Sequence, residues 1–125
     1  MPQKPIAEKI KYDTIVAEFK VAGLIPPNAI VHIPPMAVDT TTLSFDDAHI
    51  NGERGCNVTR EQALNWIREA KISVNVLNGR FERYYSESGA SYVDFANNSV
   101  RTAYSAEEFD EKTQKLMEVL KENGY

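Results

Sequence analysis

His49 sits in the run Asp47-Ala48-His49-Ile50, and Arg54 follows through Asn51-Gly52-Glu53. An imidazole at a helix end and a guanidinium on the loop after it can face one pocket. That pairing suits metal-free cleavage of an RNA phosphodiester. The imidazole takes the proton of a ribose 2′-hydroxyl or protonates the leaving oxygen, and the guanidinium holds the non-bridging oxygens as charge grows on phosphorus. Spacing alone favours a simpler alternative, a surface histidine capping a helix.

A second group, Arg80, Arg83, Tyr84, Tyr85, Ser86 and Ser88, gathers around one predicted turn. Arginine beside aromatic rings can hold a phosphate and stack a base. Half-buried sheets also use Tyr and Phe for packing, so Phe81 and either Tyr84 or Tyr85 are expected in the core. Strand alternation puts Thr102 and Tyr104 on one face of the last strand, with Arg101 and Ala103 opposite. A threonine there can donate to a phosphate and is more often a filler. Other enzyme plans do worse. There is no glycine-rich phosphate loop, no His-Glu-x-x-His pair and no Cys-x-x-Cys, and Asp46, Asp47 and His49 are too sparse for a metal site. A nucleophilic pair of Cys56 with His49 lacks any acyl-transfer context.

The elements that must position these groups follow from periodicity and turn chemistry. Ile6, Ile10, Ile15, Phe19 and Ala22 predict an amphipathic helix that Gly23 stops. Ala29–Ile33, bounded by proline pairs, reads as a short edge strand. Leu43, Phe45, Ala48 and Ile50 predict a short helix carrying Asp46, Asp47 and His49, broken by Asn51-Gly52 and Gly55. Thr59-Arg60-Glu61-Gln62 is a capping box that opens a helix running to about Ala70. Strands are then expected at 72–77, 80–85, 90–95 and 99–104, the first pair joined through a two-residue Asn78-Gly79 turn. Ser105-Ala106-Glu107-Glu108 reads as a second capping box, opening a helix with Phe109, Leu116, Val119 and Leu120 on its apolar face. The expected fold class is α+β: N-terminal helices, a four-stranded antiparallel meander and a C-terminal helix. Residues 1–23 form a helical extension in this reading, and 24–125 a single compact unit.

Composition bounds these readings. The chain has 125 residues, 42% of them hydrophobic, enough for one globular core. Eighteen acidic against fourteen basic side chains give −4, so bulk charge does not draw the protein to nucleic acid. The charge is uneven: residues 50–85 carry six basic and four acidic groups, while the rest of the chain sums to −6. Interleaved Glu and Arg is also what a solvated helix face looks like. Any nucleic-acid binding would use a local patch and be weak and salt-sensitive. The single Cys56 closes no intrachain disulfide, which makes a reducing, cytoplasmic compartment the default expectation, and no signal peptide or membrane anchor is visible.

One ordered series of residues adds to this. Asp47-Ala48-His49-Ile50, Glu53-Arg54, Val58-Thr59-Arg60-Glu61-Gln62-Ala63, Trp66-Ile67, Ala70-Lys71-Ile72, Tyr84-Tyr85-Ser86, Gly89-Ala90, Tyr92-Val93, Arg101-Thr102-Ala103-Tyr104 and Phe109-Asp110 resemble a domain of phage-related proteins. That domain is often found at the C-terminus of minor head or head-morphogenesis proteins of Gram-positive bacteria. It looks like a member of the barnase, EndoU, colicin and RelE-like superfamily of metal-independent nucleases, and the resemblance covers roughly residues 24–119. It implies a sheet whose cleft takes RNA, with no metal or cofactor. His49 would be general base or acid, Arg54 and Arg83 phosphate clamps, and Ser86 and Thr102 donors to the same phosphate. Arg80, Tyr85 and Tyr104 would bind substrate. The implied partners are RNA and a phage head or portal protein or an immunity protein, in the bacterial cytoplasm or the phage particle. Family members often carry a second histidine just after the arginine, where this chain has Gly55-Cys56. If that histidine is the second proton carrier, this copy is slow or inactive. A silent copy would serve as a structural or protein-interaction module.

Overall fold

The computed structural model describes residues 6–125, with side chains from Lys9 onward. They form two compact units, the chain through Pro27 together with Asp110–Tyr125, and Asn28–Phe109.

The first unit holds α1 (Ile6–Val21) and α3 (Glu111–Glu122). In α1, Ile15 and Phe19 are fully buried while Ile10 is exposed. At about 100° per residue Ile10 and Phe19 lie on opposite sides of the helix, so the apolar stripe is narrower than the sequence pattern suggests. Ala22 lies past the helix end and is exposed, and the side chain of Ile6 is outside the described residues. α3 buries Leu116, Val119 and Leu120. Its N-cap is Asp110, whose carboxylate accepts from the Thr113 N–H at 2.8 Å. The capping box expected at Ser105 does not form: Ser105 ends a strand and makes no side-chain cap, and Ala106–Glu108 is a lone 3₁₀ turn.

The second unit is a mixed six-stranded sheet with helices: β1 (Ile30–His32), β2 (Ser44–Phe45), β3 (Ile72–Val76), β4 (Phe81–Tyr85), β5 (Gly89–Asp94) and β6 (Ser99–Ser105). The spatial order is β1-β3-β4-β5-β6-β2, antiparallel throughout except that β2 runs parallel to β6. The sheet thus has two more strands than the meander expected from sequence. β2 replaces the start of the helix predicted over 43–50, because Ser44 and Phe45 pair with Ser99 and Val100. The β3–β4 connection also differs. Asn78 and Gly79 take the positive φ that this pair favours, but Leu77 joins them at φ 53, so pairing closes at Val76 and Phe81 and Arg80 falls in the loop.

Helix α2 (Arg60–Arg68) starts at a complete capping box, Thr59 Oγ1 accepting from the Gln62 N–H and Gln62 Oε1 from the Thr59 N–H. Its buried Ala63, Leu64, Trp66 and Ile67 join Leu43, Ile50, Tyr84, Val93, Val100 and Ala103 in one core. Polar groups on this sheet face are all engaged. Ser91 Oγ donates to the Ala63 carbonyl, Tyr84 OH donates to the Met36 carbonyl, and Ser73 Oγ accepts from the Met36 N–H. Glu82 is fully buried, with one carboxylate oxygen 2.8 Å from His32 Nδ1 and the other accepting from Asn75 Nδ2 at 2.8 Å.

Candidate functional site

His49 lies in a single π-helical turn, Ala48–Glu53, directly after β2. The wide i→i+5 repeat closes where the Arg54 N–H donates to the His49 carbonyl, and it carries the backbone through Asn51-Gly52, which sequence reading expected to end the helix. Asn51 holds the turn and the following loop together. Its Nδ2 donates to Asp47 and to the Val58 carbonyl, and its Oδ1 accepts from the Val58 N–H, each at 2.7 Å. Fully buried Ile50 pins the turn to the core shared with α2.

From this platform His49 Nδ1 lies 2.8 Å from Oε2 of Glu53, an exposed carboxylate. An ionised carboxylate only accepts, so Nδ1 carries a proton, and in the neutral imidazole Nε2 holds the lone pair. Arg54 caps the turn, is exposed, and makes no side-chain hydrogen bond or ion pair among the described residues. The imidazole thus leaves the turn itself and the free guanidinium its C-cap. Asp46, just before it, accepts from the His49 N–H at 3.1 Å and pairs with Arg101, the extra residue at the β5–β6 irregularity. The Arg101 hydrogen bond, helped by the His49 N–H, holds the Asp46 carboxyl below the usual range. Cys56, two residues after Arg54, packs half-buried against the core.

The remaining predicted residues lie elsewhere. Register places Arg83, Tyr92 and Thr102 in one row across β4, β5 and β6, and Tyr85, Ala90 and Tyr104 in the next, all on the face opposite α2. These side chains do meet. The Tyr92 and Tyr104 hydroxyls are 2.6 Å apart, Tyr85 OH is 3.5 Å from Tyr92 OH, and the Arg83 guanidinium stands 5.1 Å from the Tyr92 ring centre. Tyr85 and Thr102 are buried. Burial, with the neighbouring Tyr92 and Tyr104, pushes the Tyr85 hydroxyl well above its ordinary value. Arg83 Nε is buried without a partner. Ser86 is buried too, and spends its hydroxyl on the β4–β5 turn, donating to the Gly89 carbonyl and accepting from the Gly89 and Ser88 N–H groups.

Arg80 belongs to neither group. It lies five residues from Tyr85, about 17 Å along an extended strand. Its Nε and Nη2 donate to the two oxygens of Asp94 at 3.1 and 3.0 Å. This carboxyl is held down to about 2 by Arg80, with Asn97 and the Ala96 N–H assisting against the opposing effect of burial. Arg80, Asp94, Asp46 and Arg101 line one open pocket.

Sequence reasoning missed Glu53 as the partner of His49, although the i,i+4 spacing was there to read. It also missed the Asp46–Arg101 pair, for which no local signal exists. Among the described residues, no three His, Cys, Asp or Glu side chains are grouped as a metal site needs, and no helix is long and apolar enough to cross a membrane. Comparison with protein-family models, with curated proteins and with solved structures finds no match to this chain.

Proposed function

We propose that the unit Asn28–Phe109 is a metal-independent RNase-like domain of the toxin type, encoded by a phage or prophage, that cleaves an RNA phosphodiester by general acid–base catalysis. The observation that carries this reading is the His49–Glu53 contact beside the unpaired Arg54. His49 Nε2 takes the proton from a ribose 2′-hydroxyl, and the 2′-oxygen attacks phosphorus. The 5′-oxygen leaves with a proton returned by the imidazole, giving a 2′,3′-cyclic phosphate. Glu53 orients the ring and stabilises the imidazolium, and Arg54 neutralises the non-bridging oxygens. With one imidazole carrying both proton transfers, turnover is slow. The phage origin rests on the ordered series of residues alone. The test is incubation of the full chain with total RNA in EDTA beside His49→Ala. Cleavage by the wild type and its loss in the variant support the reading, and equal cleavage by both, or none by either, contradicts it.

A second reading is favoured by the burial of Tyr85, Ser86 and Thr102 in packing and turn formation. On this reading the domain is a catalytically inactive copy of the nuclease fold that serves as a phage structural or protein-interaction module. It predicts no cleavage and stable association with a head or portal component.

A further inference from the structure

At the end of the sheet away from Tyr85 and Tyr104, an open pocket of about 330 Å³ is lined by Arg80 and Arg101, their carboxylate partners Asp94 and Asp46, the Phe81 ring, and small polar side chains including Ser44. This volume is at the lower end of the roughly 300–1,000 Å³ typical of small-ligand sites. Each guanidinium is fixed in place by its carboxylate and keeps donors to spare. Arg80 gives Nε and Nη2 to Asp94, and Arg101 gives Nη1 to Asp46. Nη1 of Arg80, and Nε and Nη2 of Arg101, have no partner among the described residues.

Charge decides which ligand fits. Two cations and two carboxylates sum to zero, so the pocket offers oriented N–H groups without a net positive field. A phosphomonoester dianion would bring two uncompensated charges, whereas a phosphodiester brings one and presents two non-bridging oxygens to the spare donors. The Arg80 guanidinium lies 5.3 Å from the centre of the half-buried Phe81 ring. The ring backs the guanidinium, whose outer plane is a face of the kind on which a nucleobase stacks.

We infer that this pocket is a nucleotide subsite for single-stranded RNA, in which Arg101 and Arg80 donate to one phosphodiester and the Phe81–Arg80 surface stacks the adjoining base. The choice of RNA rests on the RNase reading; the phosphodiester rests on the pocket itself. Asp46 accepts from the His49 N–H and pairs with Arg101, so a strand held here would enter the turn that carries the imidazole.

The test is a titration of the full chain, followed by amide chemical shifts, with thymidylyl-thymidine, which has no 2′-hydroxyl and is not cleaved. Expected are shifts concentrated at residues 44–46, 80–81 and 99–101, and binding weakened about tenfold or more in Arg101→Gln. The uncharged methylphosphonate analogue, an arm that needs no variant, is expected to lose a similar factor, and inorganic phosphate to bind more weakly than the dinucleotide. Unchanged affinity in Arg101→Gln, equal binding of the methylphosphonate, or shifts centred elsewhere overturn the inference. The two proposals fail separately. Thymidylyl-thymidine bound here by a protein that cleaves no RNA removes the RNase reading and leaves the subsite. Cleavage by a protein whose Arg101→Gln variant binds the dinucleotide as wild type does removes the subsite alone.

Discussion

His49 and Glu53 face each other across one π-helical turn, Nδ1 to Oε2 at 2.8 Å, with the carboxylate largely in water. The exposed acid thus orients a partly shielded imidazole, which under the proposed function leaves Nε2 for proton transfer.

Glu53→Gln is accordingly expected to lower kcat about tenfold with KM nearly unchanged, because a neutral amide orients the ring but does not stabilise the imidazolium. Single-turnover cleavage in EDTA reads this split. A rise in KM at constant kcat would place Glu53 in substrate binding instead.

The two histidines are expected to separate stability from activity. His32→Ala leaves one oxygen of the buried Glu82 unpaired and should cost about 1–3 kcal/mol in denaturant unfolding. Five inter-strand spacings, about 24 Å, separate the edge carrying His32 from the edge that leads into His49. Cleavage by folded His32→Ala should therefore match wild type. His49→Ala is expected to show the reverse pattern.

Gly89 opens β5 directly against the α2 indole, where a Cβ would overlap the Trp66 ring. Gly89→Ala is expected to destabilise the fold by about 1–3 kcal/mol or more, since neither the strand nor the packed indole can withdraw. Thermal unfolding followed by Trp66 fluorescence measures it, and an unchanged Tm would show that the indole can move aside.

The Arg80–Asp94 pair sets an acid limit. The folded carboxyl is held at about 2 and an unfolded aspartate titrates near 3.9, so its contribution is complete above about pH 5 and is lost as pH falls through 2. Asp94→Asn should unfold more readily at pH 7 and show a shallower loss of stability between pH 4 and 2. Parallel wild-type and variant profiles over that interval would remove Asp94 as the group responsible.

What could be read from the sequence was local. The Thr59–Gln62 capping box, the alternation in β3 and the positive φ of Asn78-Gly79 each depend on residues within a few positions. What escaped depends on partners far along the chain or on an uncommon repeat. β2 exists because Ser44 and Phe45 meet Ser99 and Val100. Asp46 meets Arg101 across 55 residues, and the turn bearing His49 closes on an i→i+5 hydrogen bond, wider than a 3.6-residue template detects. The candidate residues divide in the same way. His49 and Arg54 are near in the chain, one within the turn and the other its C-cap. Arg80 and Thr102 go to a salt bridge and a packed face, which the register of the sheet decides, while Ser86 is spent within its own turn.

The proposed cleavage runs through the ribose 2′-hydroxyl with His49 as the proton carrier. It is tested most directly with a DNA oligonucleotide containing a single ribose, incubated in EDTA with wild type and His49→Ala. One cut is expected, 3′ to the ribose, leaving a 2′,3′-cyclic phosphate, with the variant about 10²-fold slower or more. Cleavage at deoxyribose positions, equal rates for the two proteins, or an intact strand with both would contradict it.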